Sequence, residues 1–248
     1  MKKIMICILC FAATRSFGQV KLGIMGGATT ANLWQTDGYS GLGTGLSSWP
    51  ITGYHGGVEA EIDLNSLGLM IETSLSYYQY GSHLANSLGF LPGPNNSTID
   101  YSETNLKINT LRLPINLMYK YSITDKWKVF AGFGPYIAKT LSGTEKGYYK
   151  GFIQNPDGSY NVIYGGIDNK AQISSGFSYA PGGTTKLASF DIGANVLFGV
   201  QYKKFKFAFN YNRGFTQVYR NKYANTGNFA WSYTVSYMIF GHDKKAPL

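Results

Sequence analysis

Carboxylates occupy every second position in the stretch VEAEID: Glu59, Glu61 and Asp63, with His55 four places ahead of the first. Carboxylates this close can work as an acid–base pair, ligate a cation or hold buried amines, and the spacing decides which. On a strand, alternate residues share a face. The three carboxylates then point the same way, and a face carrying them cannot meet lipid or a dry core. His55 and Glu59 on such a strand lie about 13 Å apart, too far to share one ion. The same parity puts Lys21, Glu72, Arg112, Lys120, Asp191 and Lys206 on the inward side of other strands. With Glu59, Glu61 and Asp63 they form an expected charge network inside the molecule, because buried charges persist when paired and hydrogen-bonded. A narrow polar or proton path through the same residues is the functional alternative.

Nucleophilic chemistry has less to work with. Ser74 and Ser76 precede His83, which permits a serine–histidine pair, yet both serines fall on the inward parity and His83 lies past the expected strand end. The stretch NPDG at 155–158 has turn chemistry and lacks the acidic spacing of a calcium loop. GIMGG at 23–27 stands outside any phosphate-loop context and reads as relief of crowding in a curved strand. No catalytic residue, metal or cofactor is therefore expected.

The elements that carry these residues read as strands of period two. Val20 to about Thr30 sets Val20, Leu22 and Ile24 against Lys21, and GYHGGVEAEIDL sets Tyr54, Val58, Ala60, Ile62 and Leu64 against His55 and the carboxylates. Leu67–Tyr80, Leu111–Tyr121, Trp127–Thr140, Phe190–Tyr202, KFKFAFNYN and FAWSYTVSYMIF follow the same rule. In KFKFAFNYN a ring stands at each alternate place: Phe205, Phe207, Phe209 and Tyr211. Pro114 and Pro135 interrupt two of these patterns and predict bulges or bends. Eight strands of this length suit a tilted crossing of a hydrocarbon layer.

The chain has 248 residues, 16% of them aromatic, with a mean hydropathy of −0.13 and no apolar run long enough for a membrane helix. It opens on MKKIMICILCFAATRSFGQ, two lysines and a short apolar run before small residues, the form of a secretory leader with cleavage after Gly18. Both cysteines, Cys7 and Cys10, fall inside that leader, so the exported chain would carry no disulfide. The net charge of +9 comes without a basic run or a nucleic-acid motif, and no nucleic acid is expected as a partner.

The connections give an independent test. NS, SITDK and KK join three strand pairs, whereas about 36–52, 81–105, 141–188 and 216–228 are long. Short turns alternating with long loops are what outer-membrane barrels show. The longest loop holds its own hairpin signal around Asn155–Gly158.

GYHGGVEAEIDLNSLGLMIETSLSYYQYG, TLRLPINLMYKY, FAGFGPYIA and DIGANVLFGVQYKKFKFAFNYNRGF together resemble the small porin-like outer-membrane β-barrel proteins of Bacteroidota. The resemblance implies an all-β fold, an eight-stranded antiparallel up-and-down transmembrane β-barrel with long extracellular loops, and ties to secretion in some members. No functional residues carry over. The expected organisation is a signal peptide at 1–18, the barrel at 19–240 and a C-terminal tail at 241–248. The expected function is non-enzymatic, structural or partner-binding through the long loops in the outer membrane. Outer-membrane lipid, another envelope protein or a surface glycan are the expected partners. Tyr148, Tyr149, Phe152, Tyr160 and Tyr164 are the loop residues expected to carry binding. A narrow channel and a lipid-acting enzyme are the alternatives.

Overall fold

A computed structural model describes residues 20–37, 45–64, 67–87, 97–174, 186–218 and 224–240. The expected leader, the C-terminal tail and the NS turn lie outside the described residues. The strands are β1 (Val20–Asp37), β2 (Gly45–Asp63), β3 (Leu69–Ser87), β4 (Ser97–Ser122), β5 (Trp127–Gln154), β6 (Tyr160–Lys170), β7 (Gln172–Ser174), β8 (Lys186–Ala188), β9 (Phe190–Tyr202), β10 (Phe205–Gly214) and β11 (Ala224–Phe240). The antiparallel ring β1-β2-β3-β4-β5-β9-β10-β11 closes where β1 pairs with β11. Every strand of the ring is next to its neighbour in the sequence, save for the excursion between β5 and β9.

Alternation decides which way each side chain points. Ile24, Phe133 and Val196 on the outside are 51%, 64% and 54% exposed, whereas Glu61 and Lys206 inside are 0% and 1% exposed. Apolar outside and charged inside is the reverse of a protein that water surrounds. The outward belt runs around the whole ring, for example through Leu22, Val58, Leu75, Ile115, Phe198, Phe207 and Val235. Rings close it at both borders: Trp127 against Tyr202 at 4.7 Å on the short-turn side, and Tyr211 against Trp231 at 4.4 Å on the long-loop side. This is the pattern of a barrel immersed in lipid.

The short turns are tightly built. Thr124 Oγ1 accepts from the backbone N–H of Trp127 at 3.0 Å, and Lys203 adopts φ 52° between β9 and β10. Gly68, at φ +96°, needs the left-handed region before β3. Gly27 is required for another reason: a Cβ there would stand 1.8 Å from the Tyr233 carbonyl oxygen and 2.8 Å from the His55 ring.

Two expectations change and one is met. The segments 45–52, 81–87, 97–105 and 141–154 are strand, not loop, so β2 to β5 rise past the belt. The hairpin expected around NPDG is present, and β6 pairs with the outer half of β5 to complete a raised ribbon. Pro114 and Pro135 make no bulge: the β4–β5 register is the same on both sides of them, from Pro114↔Tyr136 to Leu117↔Phe133. Pro135 falls inside the short gap between those two pairs and Pro114 borders it, with no extra residue in either strand. A shift occurs at Leu141, between Asn109↔Ser142 and Thr110↔Thr140, where one extra residue enters β5.

Gly27→Ala is expected to block closure of β1 on β11, while Gly26→Ala, whose Cβ would meet only the His55 carbonyl oxygen at 3.6 Å, folds. On an SDS gel the unheated Gly26→Ala protein keeps the mobility of the folded form and Gly27→Ala does not.

Candidate functional site

The structure places all nine expected charges on the inner side of the ring. Seven of them meet toward the short-turn end. Glu61 and Glu72 stand directly opposite each other on β2 and β3, a like-charge pairing that destabilises a sheet by itself. Lys206, reaching across from β10, lies between them: its Nζ contacts Glu72, stands 3.1 Å from Glu61 and stands 3.4 Å from Glu59. Lys120 Nζ donates to Glu61 at 2.6 Å and to Gln201 Oε1 at 2.7 Å. Lys21 pairs with Asp63 at 3.3 Å. Asn116 donates to Glu72 and Ser236 to Glu59, and Phe130 packs under both Lys120 and Lys206.

Arg112 and Asp191 belong to a second group, and here the expectation of one continuous ion network is corrected. Arg112 is held between rings, 3.6 Å from the Tyr136 centroid and 4.8 Å from that of Tyr78, and donates to Asn212 at 2.8 Å. Asp191 accepts from Tyr136 at 2.8 Å and from Asn228 at 3.0 Å. Tyr136 therefore bridges the two charges, which make no direct ion pair among the described residues. Sequence parity places Tyr136 and Gln201 inward as well, and the rule that buried ions need further hydrogen bonds is the signal that could have singled them out.

Between the two groups lies a cavity of about 50 Å³ lined by His55, Ser74, Ser76, Asn116, Asn195 and Thr234 among others. It has room for a few waters. The buried oxygens Glu59 Oε1, Asn116 Oδ1 and Asn195 Oδ1, from residues lining it, lack a protein partner. Above Arg112 the mouth is filled by Leu33, Leu106, Ile108 and Ala230, with Leu187 from β8 and Val218 folding in from the loops. Both serines thus line the lumen, and His83 does not join them.

His83 sits on the outer face of the raised ribbon. Its Nε2 lies 2.7 Å from Glu103, Nδ1 lies 3.0 Å from Asn105, and the Trp49 ring is 5.5 Å away. Glu103 also accepts from Tyr101 at 3.2 Å and from Tyr148. The Tyr148 hydroxyl holds the Glu103 carboxyl below the usual carboxylate range, helped by His83 and Tyr101, and Glu103 in turn pushes Tyr148 up to about 12.

Of the five expected loop rings, four share one face. Phe152 opposes Val162, Lys150 opposes Tyr164, and Tyr160 opposes the end of β5, which brings Tyr148, Phe152, Tyr160 and Tyr164 to the same side. Tyr149 is the exception, lying on the opposite side across Gly165.

Lys206→Met would leave three carboxylates around a lost cation, at a cost of about 3–5 kcal/mol. Urea unfolding of the protein in lipid vesicles should show that loss. A group with a depressed pKa contributes above the ordinary carboxylate range and loses its contribution as pH falls through its folded value. Tyr148→Phe is therefore expected to move the Glu103 midpoint upward, read by ¹³C NMR of labelled glutamate carboxyls.

Residues 12–220 match the model of the outer membrane protein beta-barrel domain. No curated protein matches the chain. Among solved structures, OprG from Pseudomonas aeruginosa is 13% identical with a TM-score of 0.43, covering 89% of this chain and 96% of its own. Neisserial surface protein A is 13% identical with a TM-score of 0.39, covering 88% and 97%. Ail of Yersinia pestis, solved with the heparin analogue sucrose octasulfate, is 8% identical with a TM-score of 0.32, covering 89% and 100%. Inner charges, outer belt and sequence match agree, and the chain belongs to the outer membrane protein beta-barrel domain family.

Proposed function

We propose that this protein is a non-enzymatic outer-membrane barrel that binds a partner through the extracellular ribbon of β4, β5 and β6. The observation that carries the reading is the exposed face of Tyr148, Tyr160, Val162 and Tyr164, which are 49%, 40%, 47% and 75% exposed. Long loops face outward in such barrels. The ribbon stands beyond the lipid belt, so no acyl chain covers these rings, and contiguous apolar surface of this kind marks an interaction site. The barrel below supplies a rigid mount. An envelope protein or a surface glycan is the partner class that such a stripe suits, since tyrosines combine apolar area with a polar tip.

The lumen favours this reading over a narrow channel, because among the described residues ion pairs cross it at one end and Leu33, Leu106, Ile108 and Leu187 pack together at the other. Separation of Ser74 and Ser76 from His83 favours it over a hydrolase.

Tyr148→Ala/Tyr160→Ala/Tyr164→Ala is expected to abolish recovery of the partner from cross-linked envelopes while leaving the folded band on the gel unchanged. Recovery undiminished by the triple change defeats the proposal. In planar bilayers the purified chain is expected to give no unitary current, and current that alters on Glu72→Gln would move the function into the lumen.

A further inference from the structure

On the side of the barrel formed by β1, β11 and β10, the outer surface holds a pocket of about 360 Å³ lined by Trp34, Tyr211, Arg213, Phe229 and Trp231. Its construction follows from register. Tyr211 opposes Trp231, Arg213 opposes Phe229, and Trp34 opposes Gly227, so all five side chains share the outer face. The Trp34 ring lies over Gly227, where a Cβ would come within 2.4 Å of it.

The pocket is polarised along the strands. Its lower wall, Tyr211 and Trp231, is part of the aromatic border and continues downward into Phe209 and Tyr233 of the lipid belt. The upper wall presents one charged donor, the Arg213 guanidinium, and no acceptor side chain. Arg213 is exposed, stands 6.0 Å from the Trp34 ring and has no carboxylate partner among the described residues, whereas Trp34 Nε1–H is enclosed against Gly227. An exposed guanidinium without a carboxylate partner calls for an anion. Rings below call for an apolar body. A molecule with an anionic head above and hydrocarbon below, at the level where the belt ends, is a membrane lipid.

We propose that this pocket binds the phosphorylated headgroup of an outer-leaflet lipid, with the phosphate on Arg213, the Trp34 ring as a wall beside it, and the acyl chains descending over Tyr211 and Trp231. Volumes of this order suit such a headgroup. The site is on different strands from the ribbon face and its existence does not depend on that face having a partner. Lys107 and Lys170, which flank Thr144 on the outer side of β4 to β6, provide an internal comparison, since they are exposed cations on other strands.

The test uses the full chain purified in detergent, with bisphosphorylated lipid A and its dephosphorylated form as probes, and native mass spectrometry as readout. Wild-type protein is expected to retain the phosphorylated lipid and lose the dephosphorylated one. Arg213→Gln should weaken retention by about ten- to a hundredfold, the range for a lost charge-assisted hydrogen bond. Trp34→Phe, which keeps a ring and removes an enclosed N–H, should leave it unchanged, and Arg213→Lys should restore part of it. Lys107→Gln/Lys170→Gln should leave it unchanged. Equal loss in the two lysine changes would show diffuse charge attraction and overturn the pocket. Retention that survives Arg213→Gln, or that does not distinguish the two lipid forms, would overturn it too. Displacement of the lipid by millimolar inorganic phosphate would assign the anion site to free phosphate and overturn the lipid. The unheated gel band confirms folding of each variant.

Discussion

One ammonium group sets the terms for the interior. Lys206 is fully enclosed and is shared by Glu59, Glu61 and Glu72 from two strands on the other side of the ring. Without a cation at that point, β2 and β3 would carry facing carboxylates inside an enclosed lumen. With it, a feature that opposes pairing becomes a clamp across the barrel. Lys120 and Lys21 extend the same solution toward the short-turn rim. The side chains that hold the ring together are thus also those that fill it.

The outer surface obeys the opposite rule. Apolar side chains that a soluble fold would gather inside form a continuous belt, bounded by rings at each edge, and polarity returns only above that belt. The raised ribbon and the pocket beside Trp34 both lie where polarity returns. Both proposed binding surfaces lie at or above the upper border, while the described interior is occupied by paired charges and the apolar side chains above them.

Much of this was legible because a strand has period two. A single parity assigned Lys21, Glu59, Glu61, Asp63, Glu72, Arg112, Lys120, Asp191 and Lys206 to one side. Which of them meet was not legible, since Lys206 finds Glu61 145 residues away through the stagger of the closed ring. Arg112 went to Tyr136 and Tyr78 for the same reason. Parity also fails wherever a residue is inserted. The extra Leu141 reverses the faces of all that follows in β5, which is why Tyr148 and not Tyr149 joins the exposed stripe. Proline, by contrast, is a weaker signal here: Pro114 and Pro135 leave the β4–β5 register unchanged. The pocket at Trp34 draws on three strands, and no spacing within one segment announces it.

Closure of the ring has a temporal side. The first strand, β1, hydrogen-bonds to the last, β11, from Leu22↔Phe240 to Asp37↔Ala224. A chain that has produced everything up to β10 still has two open edges, and open edges recruit other strands. Non-local pairings of this kind also form slowly. The polypeptide must therefore be kept apart from its own kind until residue 240 is available, and its protection from aggregation begins only with its final hydrogen-bonded ladder.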